Sequence, residues 1–89
     1  MADNTEMINA LIYRVNDELE DAMMYMELSH KARDYGEPHD VQIFRDIAKE
    51  EYTHAGHINN ILKEHGSNTN EYHDMWVKAE KAVYGLWKR

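Results

Sequence analysis

Glu51 and His54 lie in the run Glu50-Glu51-Tyr52-Thr53-His54-Ala55, with two residues between them. On a helix this spacing sets a carboxylate and an imidazole one turn apart, where both can reach a single metal ion. Glu18, in a separate apolar segment, supplies a second carboxylate. A charge on an apolar face is costly to bury without a partner, and a cation held between these groups would provide one. The chain has no cysteine, which excludes disulfides, thiolate zinc sites and iron–sulfur clusters. Carboxylate oxygen and imidazole nitrogen remain, a ligand set that suits iron or manganese, with zinc and copper able to compete.

Spacing alone is weak, and helical phase carries the signal. An α-helix advances about 100° per residue, so each side chain can be placed around its axis. With Glu18 as origin, Leu11 and Ser29 lie about 20° to one side and Met7 and Tyr25 about 20° to the other. Ala22 follows at about 40° and Val15 at about 60°, so Glu18 falls in the middle of the expected buried face. Around Glu51, Phe44, Ile58 and Leu62 fall within about 20°, and Ile47 and Ala55 within about 40°. His54 lies about 60° round, beside Ile47 and Ile61. The run Glu27-Leu28-Ser29-His30 is an internal control with the same spacing, but Glu27 sits about 180° from Glu18 and faces solvent.

A competing reading pairs the buried acids with arginines such as Arg14 or Arg45. Three candidate ligands, Glu18, Glu51 and His54, meeting on two facing helices favour a metal over that reading. His57 lies about 120° from Glu51 and is expected at the surface, with an accessory ligand role as the alternative. His39, His65 and His73 fall near helix ends and are expected to face solvent. Tyr25, two turns after Glu18, either packs in the core or donates a hydrogen bond to a ligand carboxylate.

Three helices are needed to position these groups. One periodic segment runs from about residue 5 to 35 and is closed by Gly36 and Pro38, suited to a left-handed cap and a helix first turn respectively. A second runs from about 39 to 65 and stops at Gly66. Ser67-Asn68-Thr69-Asn70 is rich in capping residues, and Glu71 completes a capping box with Asn68. A third, shorter helix is expected from about 70 to 87. The short link between the first two makes them antiparallel neighbours. The expected fold is therefore all-α: one domain, an antiparallel two-helix hairpin with a C-terminal helix appended.

With 17 acidic against 10 basic side chains the net charge is -7, which argues against nucleic acid or an anionic membrane as partner. No apolar run is long enough to span a bilayer. Met1 to Glu6 shows no signal-peptide pattern, so the expected compartment is the cytoplasm.

One chain of 89 residues offers two carboxylates and one imidazole to the site. A carboxylate-bridged di-iron centre in a four-helix bundle uses about four Glu and two His. A twofold dimer of hairpins would double the set to that number, since an isologous interface places each residue beside its mate. The ligand count thus predicts a homodimer with an intersubunit site.

The runs Asp17-Glu18-Leu19-Glu20-Asp21-Ala22-Met23-Met24-Tyr25 and Ile47-Ala48-Lys49-Glu50-Glu51-Tyr52-Thr53-His54-Ala55 resemble the ferritin-like superfamily. Their spacing is similar to one repeat of a rubrerythrin di-iron domain. The single hairpin and the Glu-Leu-Glu segment resemble the encapsulated ferritins, which are half-ferritins. The similarity covers roughly residues 7 to 65. It implies that Glu18, Glu51 and His54 are iron ligands, that Tyr25 stands beside the centre, and that Asp17 and Glu20 line an iron access route. It further implies Fe(II) oxidation by dioxygen, a homodimer or a higher ring such as a decamer, and a location inside an encapsulin shell. The chain departs from this pattern in lacking a second ligand repeat, a cysteine-bearing electron-transfer domain and an evident packaging extension after Trp87-Lys88-Arg89. The expected function is a ferroxidase in iron storage or detoxification. The alternative is a metal-dependent structural or sensing module in which the ion serves to assemble chains.

Overall fold

The computed structural model describes residues 4–67 and 69–85, and every regular element in them is helical. Helix α1 spans Thr5–Asp34, α2 spans Pro38–Glu64, a 3-10 turn covers Thr69–Tyr72, and α3 spans His73–Tyr84. The all-α class expected from the periodicity is observed, with α1 and α2 packed along each other and α3 laid against both.

The two long helices end the same way, through a glycine at positive φ (Gly36 at 73° and Gly66 at 70°). At the first, Gly36 N–H donates to Arg33 O and Glu37 N–H to Ala32 O, at 3.0 and 2.9 Å. At the second, Gly66 N–H donates to Lys63 O and Ser67 N–H to Leu62 O, both at 3.0 Å. These paired bonds satisfy carbonyls that a helix end would leave open, and the left-handed backbone they need is cheap for glycine. Pro38 occupies the start of α2, one residue before the expected start at His39, where its missing N–H costs nothing.

The third helix begins later than expected. Thr69–Tyr72 forms a 3-10 turn where the sequence predicts a helix from about Asn70. Tyr72 explains the difference: its side chain is buried and its hydroxyl donates to Asn59 Oδ1 at 2.7 Å, pinning the chain to α2 before α3 departs. Asn68, half of the expected capping box, and Trp87, the expected end of the last helix, lie outside the described residues.

The core is built from Val15, Leu19, Ala22 and Met26 of α1, Ala48, Ala55 and Leu62 of α2, and Ala79 and Val83 of α3. The alanines let the helix axes approach, while Leu19 and Leu62, both fully buried, each contribute about 1.5–3 kcal/mol of apolar transfer. Tyr52 fastens α3 from the side, its ring centroid 5.3 Å from those of both Trp76 and Tyr84. Near the hairpin turn, the buried Ser29 hydroxyl donates to Val41 O at 3.0 Å and ties α1 to α2.

The buried line is displaced from the one that phase predicts. On α2, Ala48, Ala55 and Leu62 lie about 20–60° to one side of Glu51, toward α3. Ile43 and Ile61, about 80° to the other side, are 42% and 41% exposed. On α1, Met7 is exposed too, although its phase places it beside Glu18. The stripe is one apolar face in sequence but two halves in space, because α3 covers only one side of the helix pair. The extents of 56 × 23 × 14 Å and radius of gyration of 15.1 Å fit an uncovered slab, against about 12 Å for a compact chain of this length.

Candidate metal centre

Glu18 enters from α1, and Glu51 and His54 enter from α2. Ligand atoms from the three side chains lie within 4.8 Å of one another, the single such cluster of three acids or histidines among the described residues. His54 Nδ1 is 3.8 Å from Glu18 Oε2 and 3.8 Å from Glu51 Oε1. The structure therefore brings together the three residues that sequence phase selects. It corrects their setting. Only Glu18 is buried; Glu51 is partly exposed, and the His54 side chain is 55% exposed on the open half of the stripe.

The arginine reading of Glu18 is also present in the structure. Arg14, one turn earlier on α1, donates through Nη2 to Glu18 Oε1 and through Nη1 to Asp17 Oδ2, the latter at 2.8 Å. Glu18 Oε2, by contrast, is buried and meets no side-chain or backbone donor. Arg45, the other arginine considered, is exposed and forms no ion pair among the described residues.

Two carboxylates at close range cannot both ionise cheaply. Hydrogen bonding with Glu18, then burial, then the Glu18 and Asp21 charges push the Glu51 carboxyl up to about 7. Glu18 is held below its ordinary value, first by hydrogen bonding with Glu51 and then by Arg14 and His54, against the opposing effect of burial.

These residues fit a metal ion. Bonds of about 2.0–2.2 Å set adjacent ligand atoms about 3–3.5 Å apart, so side-chain adjustments of about 1 Å would close the cluster around one ion. The buried, unpartnered Oε2 is the atom such an ion would satisfy.

The remaining expectations divide. Tyr25 stacks on Phe44, with ring centroids 6.3 Å apart, and no hydrogen bond joins it to Glu18 or Glu51 among the described residues. Seven residues of helix rise by about 10 Å, which carries the tyrosine past the ligand carboxylates. Asp17 is tied to Arg14, and Glu20 is exposed one helical turn further along α1. His57, His39, His65, His73 and Glu27 are exposed, as expected. Asp21 is a residue that sequence reasoning missed. Burial and the charges of Asp17 and Glu18 raise its pKa, and its charge acts in turn on Glu51. Its position one turn after Glu18, about 60° round toward the open side, was the available signal. A cavity of about 490 Å³, lined by Met26, Arg33, Arg45 and Val83 among others, shares no residue with the cluster.

No curated protein and no solved structure matches the chain. The Rubrerythrin family model matches residues 9–85, a span that contains both long helices almost whole and all three clustered side chains. That match covers most of the chain, its helical hairpin and its Glu/Glu/His cluster included, and the chain belongs to the rubrerythrin family.

Proposed function

We propose that this protein binds Fe(II) and oxidises it with dioxygen at a di-iron site shared between two copies of the chain, as a half-ferritin in iron storage or detoxification. The observation that carries this reading is the buried, unpartnered Oε2 of Glu18, facing Glu51 and His54 on a side of the molecule that α3 leaves open.

One chain supplies half of the roughly four-Glu, two-His set of a ferritin-like centre, and a twofold mate supplies the rest. The open half of the stripe offers Met7, Ile43 and Ile61 around the cluster, apolar area that a second hairpin would cover to complete a four-helix bundle. In that assembly Glu51 and Glu18 would hold the iron through their carboxylates, and His54 would complete the set through its imidazole. Paired Fe(II) ions, as the substrate, would supply two electrons that reduce one dioxygen to hydrogen peroxide with uptake of two protons, leaving two Fe(III) and no superoxide. The chain's own contribution is positional. Glu51 would give up its proton to become a ligand, and the packed Tyr25–Phe44 pair holds α1 against α2 two turns further along the hairpin. A decameric ring and an encapsulin-type shell as partner are proposals resting on the family resemblance.

The test is anaerobic loading of metal-free protein with Fe(II), followed by oxygen, with oxygen uptake, ferric absorbance and oligomeric state recorded together. Rapid oxidation that disappears in Glu51→Ala and His54→Ala supports the enzyme. Iron-dependent assembly without accelerated oxidation would replace it with a structural or sensing role.

A further inference from the structure

The two oxygens of Glu18 have different surroundings. Oε1 accepts from the Arg14 guanidinium, whereas Oε2 is buried without a donor and faces His54. The same guanidinium holds Asp17 at 2.8 Å, so it straddles one inner and one outer carboxylate. The Arg14 side chain is 49% exposed and has room to move outward, while the Glu18 side chain, at 8%, does not. Around Glu18 the other charged neighbours are Glu51, Asp17, Asp21 and His54, leaving Arg14 as the one permanent cation at this acidic cluster among the described residues.

We propose that Arg14 is a stand-in cation: it neutralises Glu18 while the site is metal-free, and it moves onto Asp17 when a divalent ion takes both Glu18 oxygens. This deepens the metal-binding reading above and rests on it. A buried carboxylate without a counter-charge is strongly penalised, so a metal-free hairpin needs a cation at this position. Bidentate or bridging use of Glu18 requires Oε1, the oxygen Arg14 occupies, and a guanidinium beside a divalent ion is repelled. Asp17 lies three residues from Arg14 on the same helix, where an i, i+3 pair can persist. The exchange then needs a side-chain rotation and no movement of backbone. Asp17 acquires a role different from iron access: it is the place to which Arg14 withdraws.

Arg14 thereby stabilises the metal-free chain and competes with the metal, so its removal shifts the two properties in opposite directions. The experiment titrates the full chain with Mn(II), reading free ion by electron paramagnetic resonance, and measures the melting temperature of the metal-free protein. Arg14→Gln is expected to tighten Mn(II) binding about tenfold while lowering the metal-free melting temperature. Asp17→Asn, which removes the outer partner, is expected to weaken Mn(II) binding severalfold. If metal-free Arg14→Gln does not fold, Asp17→Asn and Arg14→Lys carry the test, the lysine tightening binding because a point charge cannot hold both carboxylates as the fork does. Unchanged or weaker Mn(II) binding in Arg14→Gln, or in Arg14→Lys where that carries the test, overturns the proposal, as does unchanged or tighter binding in Asp17→Asn. If the wild type binds Mn(II) through Glu51 and His54 but these variants leave affinity unmoved, only the role of Arg14 falls. A wild type with no saturable Mn(II) binding removes the metal reading and the stand-in role together.

Discussion

His54 Nδ1 lies 3.8 Å from Glu18 Oε2, so a half-exposed imidazole on α2 faces the one buried carboxylate oxygen of α1 that has no donor. The contact spans the two helices of the hairpin, and its open side points away from α3. A site with a buried floor and an exposed rim admits an ion from solvent and then needs a second surface to close it. On the proposed reading, the position of His54 would link metal binding to assembly.

Removing a ligand should separate folding from chemistry. Glu51→Ala and His54→Ala truncate side chains that are partly or largely exposed, so helical content by circular dichroism is expected to persist. Fe(II) oxidation, measured by oxygen uptake, is expected to fall by about 100-fold or more, since loss of even an outer-sphere partner typically costs about 10–100-fold.

The pH dependence follows from the Glu18–Glu51 pair. Glu51 titrates at about 7 in the folded chain against an ordinary value of 4.5, so the folded state binds more protons than the unfolded state between these values. Its contribution to the stability of the metal-free protein is fully present below about 4.5 and is lost as pH rises through about 7. Glu18 has the opposite sign: its lowered value stabilises above the ordinary 4.5 and loses that effect as pH falls through the folded value. Metal must displace the Glu51 proton, so Mn(II) affinity should rise by about tenfold per pH unit below 7 and level off above it. Urea melts of metal-free protein and Mn(II) titrations from pH 5 to 8 check both trends.

The open half of the stripe predicts an association that one charge can break. Ile61 is 41% exposed on the side of α2 that carries His54. Ile61→Asp is expected to leave the hairpin folded and to abolish the proposed dimer in sedimentation equilibrium, with weaker metal binding per chain. A variant that remains dimeric would move the interface elsewhere.

Core packing under α3 sets the stability of the scaffold. Leu19 is fully buried between the helices, and Leu19→Ala should cost about 2–5 kcal/mol in urea unfolding. Tyr72→Phe removes the hydrogen bond to Asn59 and should cost about 1 kcal/mol, loosening the approach to α3.

Much of this molecule was legible in its amino-acid order because local chemistry decides it. Gly36, Pro38 and Gly66 end and start helices through backbone preferences that hold in any context, and the spacing of Glu18, Glu51 and His54 follows from the helical repeat. The absence of cysteine confines the ligands to oxygen and nitrogen before any fold is known. Phase could not decide which half of the apolar stripe α3 would cover, because that depends on contacts between Tyr52, Trp76 and Tyr84, residues far apart in the chain. Hence Glu51, central to the stripe by arithmetic, and His54, about 60° round from it, stand at the exposed edge in space. The division of Glu18 between Arg14 and the cluster is likewise tertiary: Arg14 is within reach from the sequence, but only the approach of α2 buries Oε2 and leaves it without a partner. Sequence determined which residues could act together, and packing decided which of their atoms are shielded from water and which remain open to an ion.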